Sequence, residues 1–368
     1  MAEFLGSEAF MLHKPTSVID CDIHPAVPGN DALIPYMDEY WQEQFISRAI
    51  GEMDLASYPP SVPLSCRPDW RQDGEKPGVS LDRCREQALD KFNCEIAICN
   101  PLYGGQVAAS GLMGAEVCTA TNKWLAREWL DAEPRLRGSI VVGSQLPERA
   151  AEEIHRCASD KRFVQVLLLA GNEMLLGRSH FWPIYEAAQK HGLPVGIHAG
   201  TMYRYPTASG GMGWPSTYLQ DYASGTHIFA AQLQSLIMEG VFAKFPDLTF
   251  VMIEAGISWV PSFIWKSKKD WHGTRGEVPW VKRSPAVEIR DRVRFTIQPF
   301  DTSKDPVHVE KLIEHLGSED MLLFSSDYPH WQFDGDDPMP PGFPARLRQK
   351  IAQENPLRTY PRLKETVS

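Results

Sequence analysis

The chain has no basic block to offset its net charge of −10 over 368 residues. Its one knot of positive charge, Lys266, Lys268 and Lys269, alternates with Trp265 and Trp271 and reads as the solvated face of a helix. A nucleic-acid partner is therefore not expected. No apolar run approaches the length that spans a bilayer. The N-terminus also lacks a basic region followed by a sustained apolar segment, so neither a membrane role nor secretion is expected. The seven cysteines, Cys21, Cys66, Cys84, Cys94, Cys99, Cys118 and Cys157, are odd in number and contain no CxxC pair. That is not a disulfide framework, and it fits a reducing cytoplasm. There is no dinucleotide-binding fingerprint. The glycines of Ser209-Gly210-Gly211-Met212-Gly213 do not match a phosphate loop, and Gly256-Ile257-Ser258-Trp259-Val260 lacks the closing glycine of a nucleophile elbow.

What is present is an ordinary core-forming composition, 43% apolar and 23% charged, and a regular alternation. Apolar, mostly β-branched runs occur at Val18–Ile23, Cys94–Cys99, 138–142, Phe163–Leu169, Val195–His198, 248–254, 293–298 and 321–326. They read as strands buried on both faces of a parallel sheet. Helical patterns at 82–92, 115–130, 147–158, 182–191, 227–245, 260–271 and 306–316 separate most of them, several beginning at an aspartate, proline or threonine. Eight such units predict an α/β fold, a (β/α)8 barrel of the TIM type forming a single domain over residues 1–368. Residues 25–80, rich in proline and aromatics, and residues 200–225 are expected to be long loop insertions, the first serving as a lid or an oligomer contact.

In such a barrel the side chains at the C-terminal strand ends converge on the active site. The first strand ends in Asp22-Ile23-His24-Pro25, where the i, i+2 spacing puts a carboxylate and an imidazole on one face. The fifth ends in His198, the sixth in Glu254, the seventh in Gln298-Pro299 and the eighth in Asp327, with His330 three residues on. Asp22, His24, His198 and Asp327 together could ligate one divalent metal and leave a position for water. Glu254 and His330 are candidates for acid/base work. His227, at a helix start, and Tyr203, Trp214 and Trp331, in loops, are weaker candidates for the pocket wall.

These residues carry a resemblance to the amidohydrolase superfamily, in particular the branch of aminocarboxymuconate-semialdehyde decarboxylase and related metal-dependent hydrolases. It runs from Val18 to about Tyr360 through Val18-Ile19-Asp20-Cys21-Asp22-Ile23-His24, His198, Gly240 to Leu248 with its Phe245-Pro246-Asp247-Leu248 entry, and Phe324-Ser325-Ser326-Asp327-Tyr328-Pro329. The resemblance implies Asp22, His24, His198 and Asp327 as metal ligands, a small-molecule substrate and a homodimer. The fourth strand has no lysine to be carboxylated between two metals, which implies a single ion. The chain departs from the pattern twice. Asp22 stands where His or Glu is usual, leaving zinc and manganese both open. Glu254 stands where the decarboxylases commonly carry a catalytic His. The expected activity is hydrolysis of a small organic, aromatic or carboxylated substrate by a metal-activated water, with Asp327 as proton acceptor and Glu254 or His330 supplying the second transfer. The alternative is non-oxidative decarboxylation of an aromatic or unsaturated acid.

Overall fold

A computed structural model describes residues 17–53, 66–72, 74–200, 215–333 and 335–364. Eight parallel strands follow one another in chain order: β1 (Val18–Ile23), β2 (Cys94–Cys99), β3 (Leu136–Val141), β4 (Phe163–Leu169), β5 (Val195–His198), β6 (Phe250–Ile253), β7 (Val293–Thr296) and β8 (Leu322–Leu323). The edges of this sheet meet. The Cys21 amide donates to Phe324 O at 3.0 Å, Asp327 N to Asp22 O at 3.0 Å and His24 N to Tyr328 O at 2.8 Å, closing the (β/α)8 barrel. Closure also brings the two ends of the sequence pattern, Asp22-Ile23-His24 and Asp327-Tyr328, side by side.

The strands alternate between two apolar environments, as a sheet buried on both faces should. Phe250 and Met252 of β6 pack outward with helix residues such as Tyr185, Leu233 and Phe242. Val251 and Ile253 point the other way, with Ile19, Cys21, Ile96, Ile98 and Leu323, and with Tyr360 and Leu363 of the C-terminal segment. Each fully buried Phe or Ile contributes roughly 1.5–3 kcal/mol. Gly196 belongs to the interior face. A Cβ there would lie 2.8 Å from the Gln165 side chain and 2.9 Å from that of Ile253, so glycine is what lets Gln165 lie across the barrel beneath His198.

Boundaries differ from the expected ones for local reasons. The eighth run pairs with β7 only at Leu322–Leu323, because the chain then leaves that ladder to make the turn that carries Asp327. The expected helix at 227–245 is split into Gly225–Met238 and Val241–Lys244, where Gly240 adopts φ 83°. In the first insertion, Asn30–Leu33 and Glu39–Ser47 are helical, and Phe45 and Trp70 are buried in the core. That insertion returns to the barrel mouth: Ala26 N donates to Gly78 O at 2.9 Å, and Arg67 N to Pro329 O at 3.0 Å. Among the described residues, no helix is long and apolar enough to cross a membrane.

Candidate metal centre

Six side chains from four strand ends meet at the C-terminal mouth of the barrel: Asp22, His24, His198, Glu254, Asp327 and His330. The first five are buried, and His330 is 21% exposed. A break in the register between Asp20 and Ile23 resets the side-chain alternation of β1 just before the site. Glu254 directly follows β6 and Asp327 lies four residues past β8, with φ of 57° and 56°. Positive φ is unfavourable for a residue with a Cβ, and non-glycine residues held this way concentrate at functional sites. Each is secured by its amide: Glu254 N donates to Thr296 Oγ1 at 3.1 Å, and Asp327 N to Asp22 O.

His24 Nε2 lies 3.2 Å from Asp22 Oδ1, 3.5 Å from Glu254 Oε1 and 3.0 Å from Asp327 Oδ1. His198 Nε2 lies 3.3 Å from Glu254 Oε1 and 3.7 Å from Asp22 Oδ1. His330 Nδ1 is 2.7 Å from Asp327 Oδ1 and 3.2 Å from Glu254 Oε1. The His24 and His330 rings stack at 4.4 Å, and His198 meets His24 edge-on at 4.9 Å.

Burial opposes charge on each of these groups, and their neighbours overrule it. Burial would lift the Asp22 carboxyl, yet His24 and His198 hold it well below the carboxylate range. Glu254 is likewise lowered by His198 against its burial. Burial would lower His198 and His330, but Glu254 and Asp22 push the first up to about 10 and Asp327 pushes the second up to about 9. Asp327 is the exception: burial, then repulsion from Glu254, raises it to about 6. The carboxylates thus create a strong local demand for positive charge.

The donor chemistry fits a divalent cation. His24 Nδ1 donates to Asn100 O at 2.8 Å and His198 Nδ1 to Ala199 O at 2.5 Å. Carbonyl anchoring of Nδ1 aims Nε2 of each ring into the cluster, as in histidine ligands generally. His198 Nε2, Asp22 Oδ2 and Asp327 Oδ2 are buried without a hydrogen-bond partner among the described residues. Buried polar atoms are costly to leave unpaired, and all three belong to residues of this cluster. Two overlapping quartets have ligand atoms within 4.8 Å of one another: Asp22, His24, His198 and Glu254, and His24, Glu254, Asp327 and His330.

A residue that strand-end reading passed over supports two of these groups at once. Asn100, directly after β2, donates from Nδ2 to Asp22 Oδ1 at 2.8 Å while its carbonyl holds His24. Its Oδ1 accepts from Ser139 Oγ at 2.5 Å and Gln165 Nε2 at 3.1 Å. Tyr360 donates to Gln165 Oε1 at 3.0 Å, so buried hydrogen bonds run from the C-terminal segment to Asp22. The signal was present: an asparagine ends the second apolar run, and Gln165 interrupts the fourth.

The weaker candidates divide. His227 is exposed, 3.3 Å from Ser224 O, and does not join the cluster. Gln298 accepts from Phe300 N at 3.1 Å and is structural. Ser258 donates to Asp301 Oδ2 at 2.7 Å, holding the turn after Glu254, in keeping with the missing nucleophile elbow. Trp331 donates to Tyr218 at 3.1 Å and packs on Tyr222 at 5.6 Å, an aromatic group beside His330. Tyr203 and Trp214 lie outside the described residues.

The chain is 23% identical, over 246 residues, to a gamma-resorcylate decarboxylase from Polaromonas sp. (strain JS666). The alignment covers 62% of this chain and 71% of that protein. Among solved structures, an amidohydrolase from Mycobacterium avium subsp. paratuberculosis K-10 superposes with a TM-score of 0.70 at 20% identity, covering 94% of this chain and 99% of that one. A dihydroxybenzoic acid decarboxylase from Polaromonas sp. JS666, with bound manganese and the inhibitor 2-nitroresorcinol, superposes with a TM-score of 0.64. It is 20% identical, with coverage of 94% and 96%. The amidohydrolase family model matches residues 19–362, from the first strand to the C-terminal segment, and the chain belongs to that family.

Proposed function

We propose that this protein is a metal-dependent carboxy-lyase that releases carbon dioxide from a hydroxylated aromatic acid. The observation that carries the reading is the Asp327–His330 pair, a carboxyl and an imidazole 2.7 Å apart at the rim of a cluster rich in metal donors. Decarboxylation needs a place for the substrate's carboxylate and a proton for the ring carbon that loses it. Asp22, His24 and His198, with Asp327 beside them, would hold a divalent zinc or manganese ion, which when bound would supply the positive charge that steadies the substrate's carboxylate. The Asp327–His330 pair holds a proton near neutral pH, because burial keeps Asp327 from ionising easily and Asp327 raises His330. That proton passes to the ring carbon. The electron pair of the broken carbon–carbon bond returns to the ring and restores its aromaticity as carbon dioxide departs. Asn100 keeps Asp22 and His24 in place throughout. Trp331 and Tyr222 offer flat surface for an aromatic ring beside His330.

Hydrolysis uses the same parts, and a carboxylate rather than an imidazole at position 254 favours it. The relatives weigh against it: the Polaromonas protein aligned above, and a 24% identical protein from Rhodococcus jostii matching 68% of this chain, are both gamma-resorcylate decarboxylases. The deciding experiment supplies metal-loaded protein with a panel of hydroxybenzoates and, separately, with aromatic esters, amides and lactones. Carbon dioxide released in proportion to lost acid is expected. Turnover of the esters, amides or lactones with no carbon dioxide from any acid would overturn the lyase reading in favour of hydrolysis.

A further inference from the structure

The strand-six carboxylate is better placed to bind the cation than to shuttle a proton. Metal–ligand bonds of about 2.1 Å at tetrahedral or right angles put neighbouring donor atoms about 3.0–3.4 Å apart. Around the ring His24 Nε2, Asp22 Oδ1, His198 Nε2, Glu254 Oε1, the successive separations are 3.2, 3.7, 3.3 and 3.5 Å. Among the described residues His198 Nε2 has no hydrogen-bond partner despite these neighbours, as suits a nitrogen set to meet a cation. All four lie within 4.8 Å of one another, while Asp327 is grouped with His24, Glu254 and His330 and not with Asp22 and His198. The backbone is committed to this arrangement. Glu254 holds φ 57°, its amide is tied to Thr296, and Asp301 accepts from Ile257 N and Ser258 N to lock the following turn.

We propose that Glu254 is a direct ligand of the divalent cation, completing a set with Asp22, His24 and His198. The proton chemistry is then left to Asp327 and His330. This rests on the metal-centre reading above and puts Glu254 in the fourth ligand place that was expected of Asp327. It also gives the departure at position 254 a meaning: the chain exchanges a free imidazole for an anionic donor. The added negative charge offsets the shorter reach of Asp22 and favours a hard ion such as manganese over a softer one.

The test is metal binding, read without turnover. Apo-protein is titrated with manganese, zinc and cobalt(II) against a competing chelator, for wild type, Glu254→Gln, Glu254→Asp and Asp327→Asn. The cobalt(II) absorption spectrum of each is recorded. Losing even an outer hydrogen-bond partner of a ligand costs about 10–100-fold in affinity, so Glu254→Gln should weaken manganese binding by at least that range and change the cobalt(II) bands. Asp327→Asn should weaken binding less. Wild-type affinity and an unaltered cobalt(II) spectrum in folded Glu254→Gln would overturn the assignment while leaving the metal centre standing. If that variant does not fold, the spectrum of Glu254→Asp decides: altered bands support ligation, and unaltered bands refute it. A wild-type protein that binds none of the three ions would bring down the metal centre itself, and this inference with it.

Discussion

Replacing Asn100 by alanine isolates the way the barrel interior holds the metal centre. The side chain is fully buried, and truncation removes its 2.8 Å hydrogen bond to the Asp22 carboxylate and its acceptor for Ser139 and Gln165. A hydrogen bond to a charged group contributes about 1.5–3 kcal/mol, and a stranded buried donor costs about 1–3 kcal/mol. Ser139 and Gln165 remain bonded to each other at 2.9 Å, so only part of that second cost applies. A loss of about 3–4 kcal/mol in unfolding free energy is expected, read from urea denaturation of the apo-protein. His24 keeps its anchor, since that contact is to the Asn100 backbone carbonyl. The damage at the site should therefore pass through Asp22 alone and lower metal affinity by about 10–100-fold, the usual range for losing a ligand's hydrogen-bond partner. Chelator competition measures it. A destabilised variant with wild-type metal affinity would show that Asn100 supports the barrel and does not orient Asp22, refuting the reasoning.

His198→Ala should lose most bound metal while wild type retains about one ion per chain, because the ligand set loses a neutral donor; elemental analysis of the two proteins checks it. Gly196→Ala forces a methyl to within 2.8 Å of Gln165, and overpacking of this kind costs about 1–3 kcal/mol, visible as a lower urea midpoint. Glu133 is bound by Arg135, then Arg85, and its carboxyl is lowered to about 2 from 4.5. A lowered carboxylate stabilises the fold above its unfolded pKa and loses that contribution as pH falls from about 4.5 towards 2. Urea midpoints between pH 6 and pH 3 should therefore fall less steeply in Glu133→Gln than in wild type, from a lower starting value. Parallel acid limbs would refute the role of this clamp.

Much of the fold was legible in the chain. Eight apolar runs set the strand count, and their two-sided burial set the parallel barrel. The placement of Asp22, His24, His198, Glu254 and Asp327 at strand ends predicted that they would meet, because a closed barrel brings every C-terminal strand end to one rim. Local pattern carries this information, since strand and helix periodicities are properties of neighbouring residues. The details that decide chemistry were not local. The pairing of Asp327 with His330, the break in β1 that resets its alternation, and the split at Gly240 depend on where the backbone leaves the ladder. Asn100, Gln165 and Tyr360 look like unrelated polar residues until the barrel closes around them and forces each buried donor to find an acceptor. Whether Glu254 faces a proton or a cation is decided by distances across the mouth. Those depend on how the whole barrel closes, which no stretch of the sequence specifies alone.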